Sequence, residues 1–282
     1  MTHVAAQARV PKKALLAFLI VAALLLTLGA LTVVRGMVLE SRTVQVVNVV
    51  DGNTVVVNAD GQERTLTMAG VRSAIRNPEG YRVGPEHCMG EEAYVWLRDR
   101  LPQGSTVRVD TSEEGAPEGR EAAVFEIGGD KVNVAMAEEG MAAPTGLGVD
   151  GETEEEIAEA NRVAQTAGSK DNGVGLYDRD TQCTLGYRLY EATTALEQTP
   201  TTPQAETVTE IDATAVAYAD AVDSVRLVQQ TIQGLDASRG TFTDIAYAPA
   251  KDKLLATADP AVEKGLGVLQ DLNARRNALA VR

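Results

Sequence analysis

Between Thr43 and Val71 the chain has room for little besides a β-meander. Three runs rich in β-branched residues, Thr43–Val50, Thr54–Asn58 and Arg64–Val71, are separated by Asp51-Gly52-Asn53 and by Ala59-Asp60-Gly61-Gln62. Branched side chains fit a pleated, half-buried surface. Asp, Asn and Gly supply the backbone conformations that short turns need. Ala93, Trp96, Leu97 and Leu101 then recur at helical spacing, which predicts a helix over Gly90–Leu101 with Trp96 in its core. Further strands are expected at Thr106–Asp110, Ala122–Ile127 and Val132–Val134, with a short helix over Asn133–Glu139 that Gly140 stops. A charged helix follows over Glu152–Thr166, where the early acids suit the helix dipole. This order of elements over residues 43–183 defines an α+β domain.

The composition changes after Cys183. Gln198–Gln204 is a Pro/Thr-rich stretch, read as a linker over residues 198–205. Beyond it, Glu206–Leu235 carries an apolar stripe at Ile211, Ala215, Tyr218, Val222, Val225 and Val228. Arg239–Pro249 reads as a connection. Lys251–Val281 reads as a second helical segment, broken near Pro260. Two helices with a short connection predict an antiparallel hairpin over residues 206–282. Its stripe serves either packing within the chain or self-association.

The N-terminus has a different character. Residues 14–34 hold no charge, and about 20 apolar residues are enough to span a bilayer as a helix. The alternatives are an uncleaved signal-anchor and a cleaved signal peptide. The length of the run and the lack of a small-x-small site after it favour the anchor. Arg9, Lys12 and Lys13 precede the run, so residues 1–13 are expected in the cytoplasm and the bulk of the chain outside it. Residues 1–42 net +4 against a chain total of −14, so the remainder carries −18. Such a surface repels phosphate backbones and disfavours nucleic acid as a partner. The chain has only two cysteines, Cys88 and Cys183, and only two histidines, His3 and His87, with no Cys-x-x-Cys, which disfavours a zinc site. In an oxidising compartment the two thiols are expected to pair; the alternative is two buried free thiols.

Several short pieces then fall into one series: ValValAspGlyAsnThr (49–54), ThrMetAlaGlyVal (67–71), GlyProGluHisCysMetGlyGluGluAla (84–93), GlyArgGluAlaAlaValPhe (119–125), ValAsnValAlaMetAlaGluGluGlyMetAla (132–142) and GlyLeuTyr (175–177). In this order and spacing they resemble the staphylococcal nuclease-like (thermonuclease) family across about half of the chain. The resemblance implies a small OB-type β-barrel with packed helices and a calcium-dependent cleavage of phosphodiesters. That chemistry needs carboxylate oxygens for a hard cation and cationic groups on the developing phosphate charge.

The positions that would supply it are altered. Where the family's turn carries a second, calcium-binding aspartate beside Asp51, this chain has Asn53. Thr67 stands where the family has a phosphate-facing arginine. Arg72 stands where it has a second calcium-binding aspartate, and Ile75 stands near its general base. A cation at a metal's ligand position opposes calcium directly; pairing of Arg72 with Asp51 would turn the site into a structural salt bridge. Glu79, in a shifted Pro78-Glu79, is the one candidate for a rescued base, and Arg120 matches the family's second phosphate-facing arginine.

Two functional expectations follow. The first is a membrane-anchored, extracytoplasmic nuclease-like domain without catalysis or cofactor, acting as a binding or scaffold module for a protein or cell-envelope partner. The second is a calcium-dependent cell-surface nuclease that uses Glu79 and Arg120, with Asp51 and Asn53 as weak metal ligands.

Overall fold

The computed structural model describes residues 40–77, 85–116, 120–167, 173–201 and 207–281. The expected meander is present as β1 (Glu40–Asp51), β2 (Thr54–Ala59) and β3 (Gln62–Met68). Strands β1 and β2 pair antiparallel from Gln45↔Asn58 to Asp51↔Thr54, and β2 and β3 from Thr54↔Thr67 to Ala59↔Gln62. Val55, Val57 and Ala59 are buried, while Val56 and Asn58 between them are less so, as the period of two requires. The third strand ends at Met68 rather than at Val71. The chain turns at Ala69-Gly70, and Val71–Arg72 becomes a separate short strand, β4.

Helix α1 (Gly90–Arg100) follows, with Ala93 and Leu97 buried. Strands β5 (Thr106–Ser112) and β6 (Glu121–Ile127) then complete the sheet. Strand β5 lies beside β1 and pairs antiparallel with β6. Strand β6 closes back on β3 in parallel register, from Leu66↔Glu121 to Met68↔Ala123. The result is a closed five-stranded barrel in the order β1-β2-β3-β6-β5, compatible with an OB-type barrel. Closure removes the sheet edges that would otherwise be free to pair. The barrel core is apolar and continuous, from Val46, Val57, Leu66 and Val109 to Phe125 and Leu97.

The expected strand Val132–Val134 is a helix instead. Only Asp130–Lys131 is extended (β7), and α2 begins at Val132 and runs to Glu138. The valines favour a strand locally, but Asn133 decides the matter by tertiary contact. Its buried side chain accepts from the Phe125 amide (2.9 Å) and donates to the carbonyls of Ala69 (2.7 Å) and Ala123 (3.0 Å). Buried polar groups require such partners, and a helical turn presents Val132, Met136 and Ala137 to the core together with Asn133. Strand β8 (Ala143–Pro144) pairs with β4, and α3 (Gly151–Thr166) follows. The cap of α3 is Asp150, which accepts from the Thr153 amide at 2.8 Å; that bond holds its carboxyl below the usual range.

Beyond the barrel the helical part is larger than a hairpin. A helix not expected from the sequence, α4 (Leu185–Gln198), starts at Thr184 and buries Leu185, Leu189, Ala192 and Leu196. Helix α5 (Val208–Gln233) opens with a capping box between Thr207 and Glu210. A short helix, α6 (Phe242–Tyr247), interrupts the connection, and α7 (Lys251–Ala280) runs to the end. Helices α5 and α7 are antiparallel: Arg276 pairs with Asp212 near one end and Gln229 bonds Asp259 toward the other. Helix α4 packs against both, so the hairpin is two arms of a three-helix arrangement.

Pro260 does not break α7. The loss of one helical hydrogen bond costs about 3 kcal/mol, and the burial of Ala258, Val262 and Leu272 on the neighbouring helices offsets it. Gly265 permits the close approach: a Cβ there would lie 2.6 Å from Val222 Cγ2. The stripe residues Ile211, Tyr218, Val222 and Val225 form the core of this bundle.

A third core joins barrel and bundle. It gathers Met89, Leu176, Tyr177, Leu189, Phe242 and Tyr247, and it includes the disulfide between Cys88 and Cys183, whose Cα atoms are 5.3 Å apart. Residues from Ser41 onward therefore form one packed unit. Among the described residues no helix is long and apolar enough to cross a membrane; the apolar run 14–34 lies outside them.

Candidate functional site

The turn between β1 and β2 is built to press against its surroundings. A Cβ at Gly52 would sit 2.7 Å from Ser73 Oγ and 2.8 Å from the Ala93 Cβ, so the turn fits only as glycine beneath the segment after β4 and against α1. Asp51 Oδ1 accepts from the Asn53 amide at 2.7 Å, which makes an Asx turn. The Asn53 carbonyl in turn accepts from the Met68 amide at 2.9 Å.

These bonds leave two oxygens over. Asn53 Oδ1 is buried and has no hydrogen-bond partner, and the same holds for Thr67 Oγ1 on β3, where Thr67 is only 6% exposed. Unpartnered buried oxygens are uncommon in folded proteins. Both residues line one cleft of about 680 Å³ at the mouth of the barrel, and Arg72 lines it too. The barrel contributes Ala116, Pro144 and Leu147 to its walls; Ala237, Gly240, Ile245 and Pro249 come from the helical part.

Arg72 does not pair with Asp51. Its Nη1 donates to the Gly240 carbonyl at 2.8 Å, and Gly240 holds the left-handed conformation that ends the Ala237–Arg239 turn. The Asp51 Oδ1 atom is occupied by a backbone amide, and the neighbouring cation Arg76 pairs with Glu91. The expected salt bridge is thus replaced by a contact between barrel and helical part.

The remaining candidates do not converge on the cleft. Ile75 is 54% exposed, and its backbone is engaged with the Glu86 carbonyl and the His87 ring. Arg120 is exposed at the start of β6 and is not among the described residues that line the cleft. Glu79 lies outside the described residues. Calcium takes six to eight oxygen ligands, several of them carboxylates. The cleft's described lining offers one amide oxygen, hydroxyls and a guanidinium, and this set does not fit that ion. Among the described residues no three of His, Cys, Asp and Glu gather as a metal-holding group.

Glu86 was not singled out by the sequence, yet it docks the helical part beside the cleft. Its carboxylate accepts from the amides of Phe242 and Thr243, each at 3.1 Å, and from Thr243 Oγ1 at 2.6 Å. Charge-assisted bonds at a helix start are among the stronger ones. The local half of this arrangement was legible: Thr241 Oγ1 caps the Asp244 amide, a Thr-x-x-Asp spacing that marks a helix start. The other half, 156 residues away, carries no local signal. No family model matches the chain, and no curated protein matches it.

Proposed function

We propose that the chain is a membrane-anchored extracytoplasmic module whose barrel, similar to the staphylococcal nuclease-like domain, no longer cleaves phosphodiesters and serves as a binding or scaffold domain for a protein or cell-envelope partner. The observation that carries this reading is the use of Arg72. At the position where the resemblance expects a metal-binding acid, a cation lines the cleft and is spent on the Gly240 carbonyl, so a segment of the chain itself forms one wall. Arg120, which the resemblance matches to the family's second phosphate-facing arginine, is not among the described residues that line the cleft. The net acidity of the chain disfavours nucleic acid. The Cys88–Cys183 disulfide supports an oxidising compartment, and the charge-free run 14–34 supports an anchor.

The test is a calcium titration of the full chain in detergent, with cleavage of single-stranded DNA followed in the same samples. The expected result is neither saturable calcium binding nor cleavage. Calcium-dependent cleavage that is lost in Glu79→Gln would overturn the reading in favour of a cell-surface nuclease.

A further inference from the structure

A second hollow lies where barrel and bundle meet, away from the cleft. It has a volume of about 170 Å³ and is walled by Gln165 of α3, by Tyr177 and Arg179, by Tyr190 and its neighbours on α4, and by Tyr247 and Lys253 from the last helices. An apolar cavity of about 150 Å³ is large enough to hold a benzene ring.

Its charged groups are all of one sign. Arg179 Nε is buried and has no hydrogen-bond partner, and no carboxylate pairs with this guanidinium among the described residues. The guanidinium carbon sits 5.0 Å from the centre of the Tyr190 ring, which holds the group in place. Tyr247 is 1% exposed; the Leu185 amide faces its hydroxyl oxygen, and its O–H proton finds no acceptor. Lys253 gives one hydrogen bond to the Gln165 carbonyl at 3.0 Å, and an ammonium has three to give. Tyr177 provides the contrast: its hydroxyl accepts from Asn161 Nδ2 at 2.6 Å and donates to the Ala246 carbonyl at 3.3 Å. In a chain whose acids outnumber its bases 40 to 26, the described residues that line this pocket include two cations and no acid. A buried, unpaired donor carries a desolvation cost that an anionic acceptor removes.

We infer that this pocket binds a small monocarboxylate with an aromatic or branched apolar body. The carboxylate accepts from Arg179 Nε and the Tyr247 hydroxyl, with Lys253 at the rim. The body lies among Leu189, Tyr190 and Leu254. A guanidinium and a hydroxyl that line one pocket suit a planar carboxylate, and the volume admits one ring. The inference stands apart from the barrel cleft and does not depend on whether that cleft binds or cuts anything.

The test uses the full chain in detergent and benzoate as the probe, with benzamide and inorganic phosphate alongside, read by calorimetry and by thermal unfolding. Saturable benzoate binding with Kd below about 1 mM, within reach of so few atoms, is expected. It should raise the unfolding temperature and weaken at least about 10-fold, or 1.4 kcal/mol, in Arg179→Met. Lys253→Met, at an exposed side chain, should weaken it less and serves as the second variant if Arg179→Met does not fold. Absence of saturation, equal binding of benzamide, or undiminished binding in both variants would overturn the proposal. Preference for phosphate over benzoate would overturn the carboxylate assignment.

Discussion

The barrel cleft and the junction pocket each contain an arginine, and the two arginines are used in opposite ways. Arg72, at the mouth of the barrel, gives its hydrogen bond to the Gly240 carbonyl; the groups left over around it are both neutral, the Asn53 Oδ1 acceptor and the Thr67 hydroxyl. Arg179, at the junction, meets no carboxylate among the described residues, and the groups left over there include a charged donor, its own Nε, and the O–H of Tyr247. A cation inside a cleft is therefore no guide to ligand charge until its own partner is known. When the chain supplies the acceptor, the arginine is a strut. When it does not, the arginine remains available to a ligand.

The sharpest way to strain this contrast is to loosen the junction alone. Replacing both Cys88 and Cys183 with alanine frees a loop of 95 residues, and the chain-entropy model puts the loss at about 4–5 kcal/mol. In a urea titration followed by amide exchange, protection should fall first in Leu185–Gln198 and later in the barrel strands. Equal loss in both places would mean that the two regions share one stability and that the contrast is only local.

A smaller effect comes from pH. Burial pushes the Tyr177 phenol up to about 12, against the opposing pull of its bonds to Asn161 and Gln165. Burial also pushes Tyr247 up. The folded state keeps these protons after the unfolded chain has begun to release them near pH 10. The stabilisation is then complete below about pH 10 and is lost as pH rises toward about 12, by about 2–3 kcal/mol for Tyr177. Chemical denaturation at pH 8, 10 and 11.5 should show that decline, and Tyr177→Phe should lessen it, leaving the part that Tyr247 contributes. The smallest effect belongs to the strut. Arg72→Ala, at a partly exposed bond, should cost about 1 kcal/mol or less and raise exchange at Ala237–Gly240, while benzoate binding at the junction stays unchanged.

The barrel was legible because its signals are local. Alternating Val55, Val56 and Val57, and the Asp51-Gly52-Asn53 turn, each state their conformation within a few residues. The errors arose where a distant contact decides. Val132–Val134 looks like a strand until Asn133 is seen to bond Ala69 and Ala123. Pro260 looks like a break until the packing around Val262 and Gly265 is seen. Helix α4 carried its signal in the open, with Leu185, Leu189, Ala192 and Leu196 at helical spacing, yet the sequence reading assigns no element between Cys183 and the linker at Gln198. At the cleft, Asn53, Thr67 and Arg72 line one wall system together. The partner of Arg72 lies 168 residues on, and the junction pocket draws on Gln165, Arg179, Tyr247 and Lys253 from separate segments. Neither has a spacing that could be read from a string.

The wall that Gly240 and Ile245 give the cleft also has a consequence in time. The last barrel strand ends at Ile127, and Gly240 is added roughly 110 residues later, which at about 5–20 residues per second is about 5–20 s of synthesis. Through that interval the nascent barrel has its mouth lined on one side only. Whatever fits the mouth meets it first as an open groove and afterwards in competition with the chain's own final quarter.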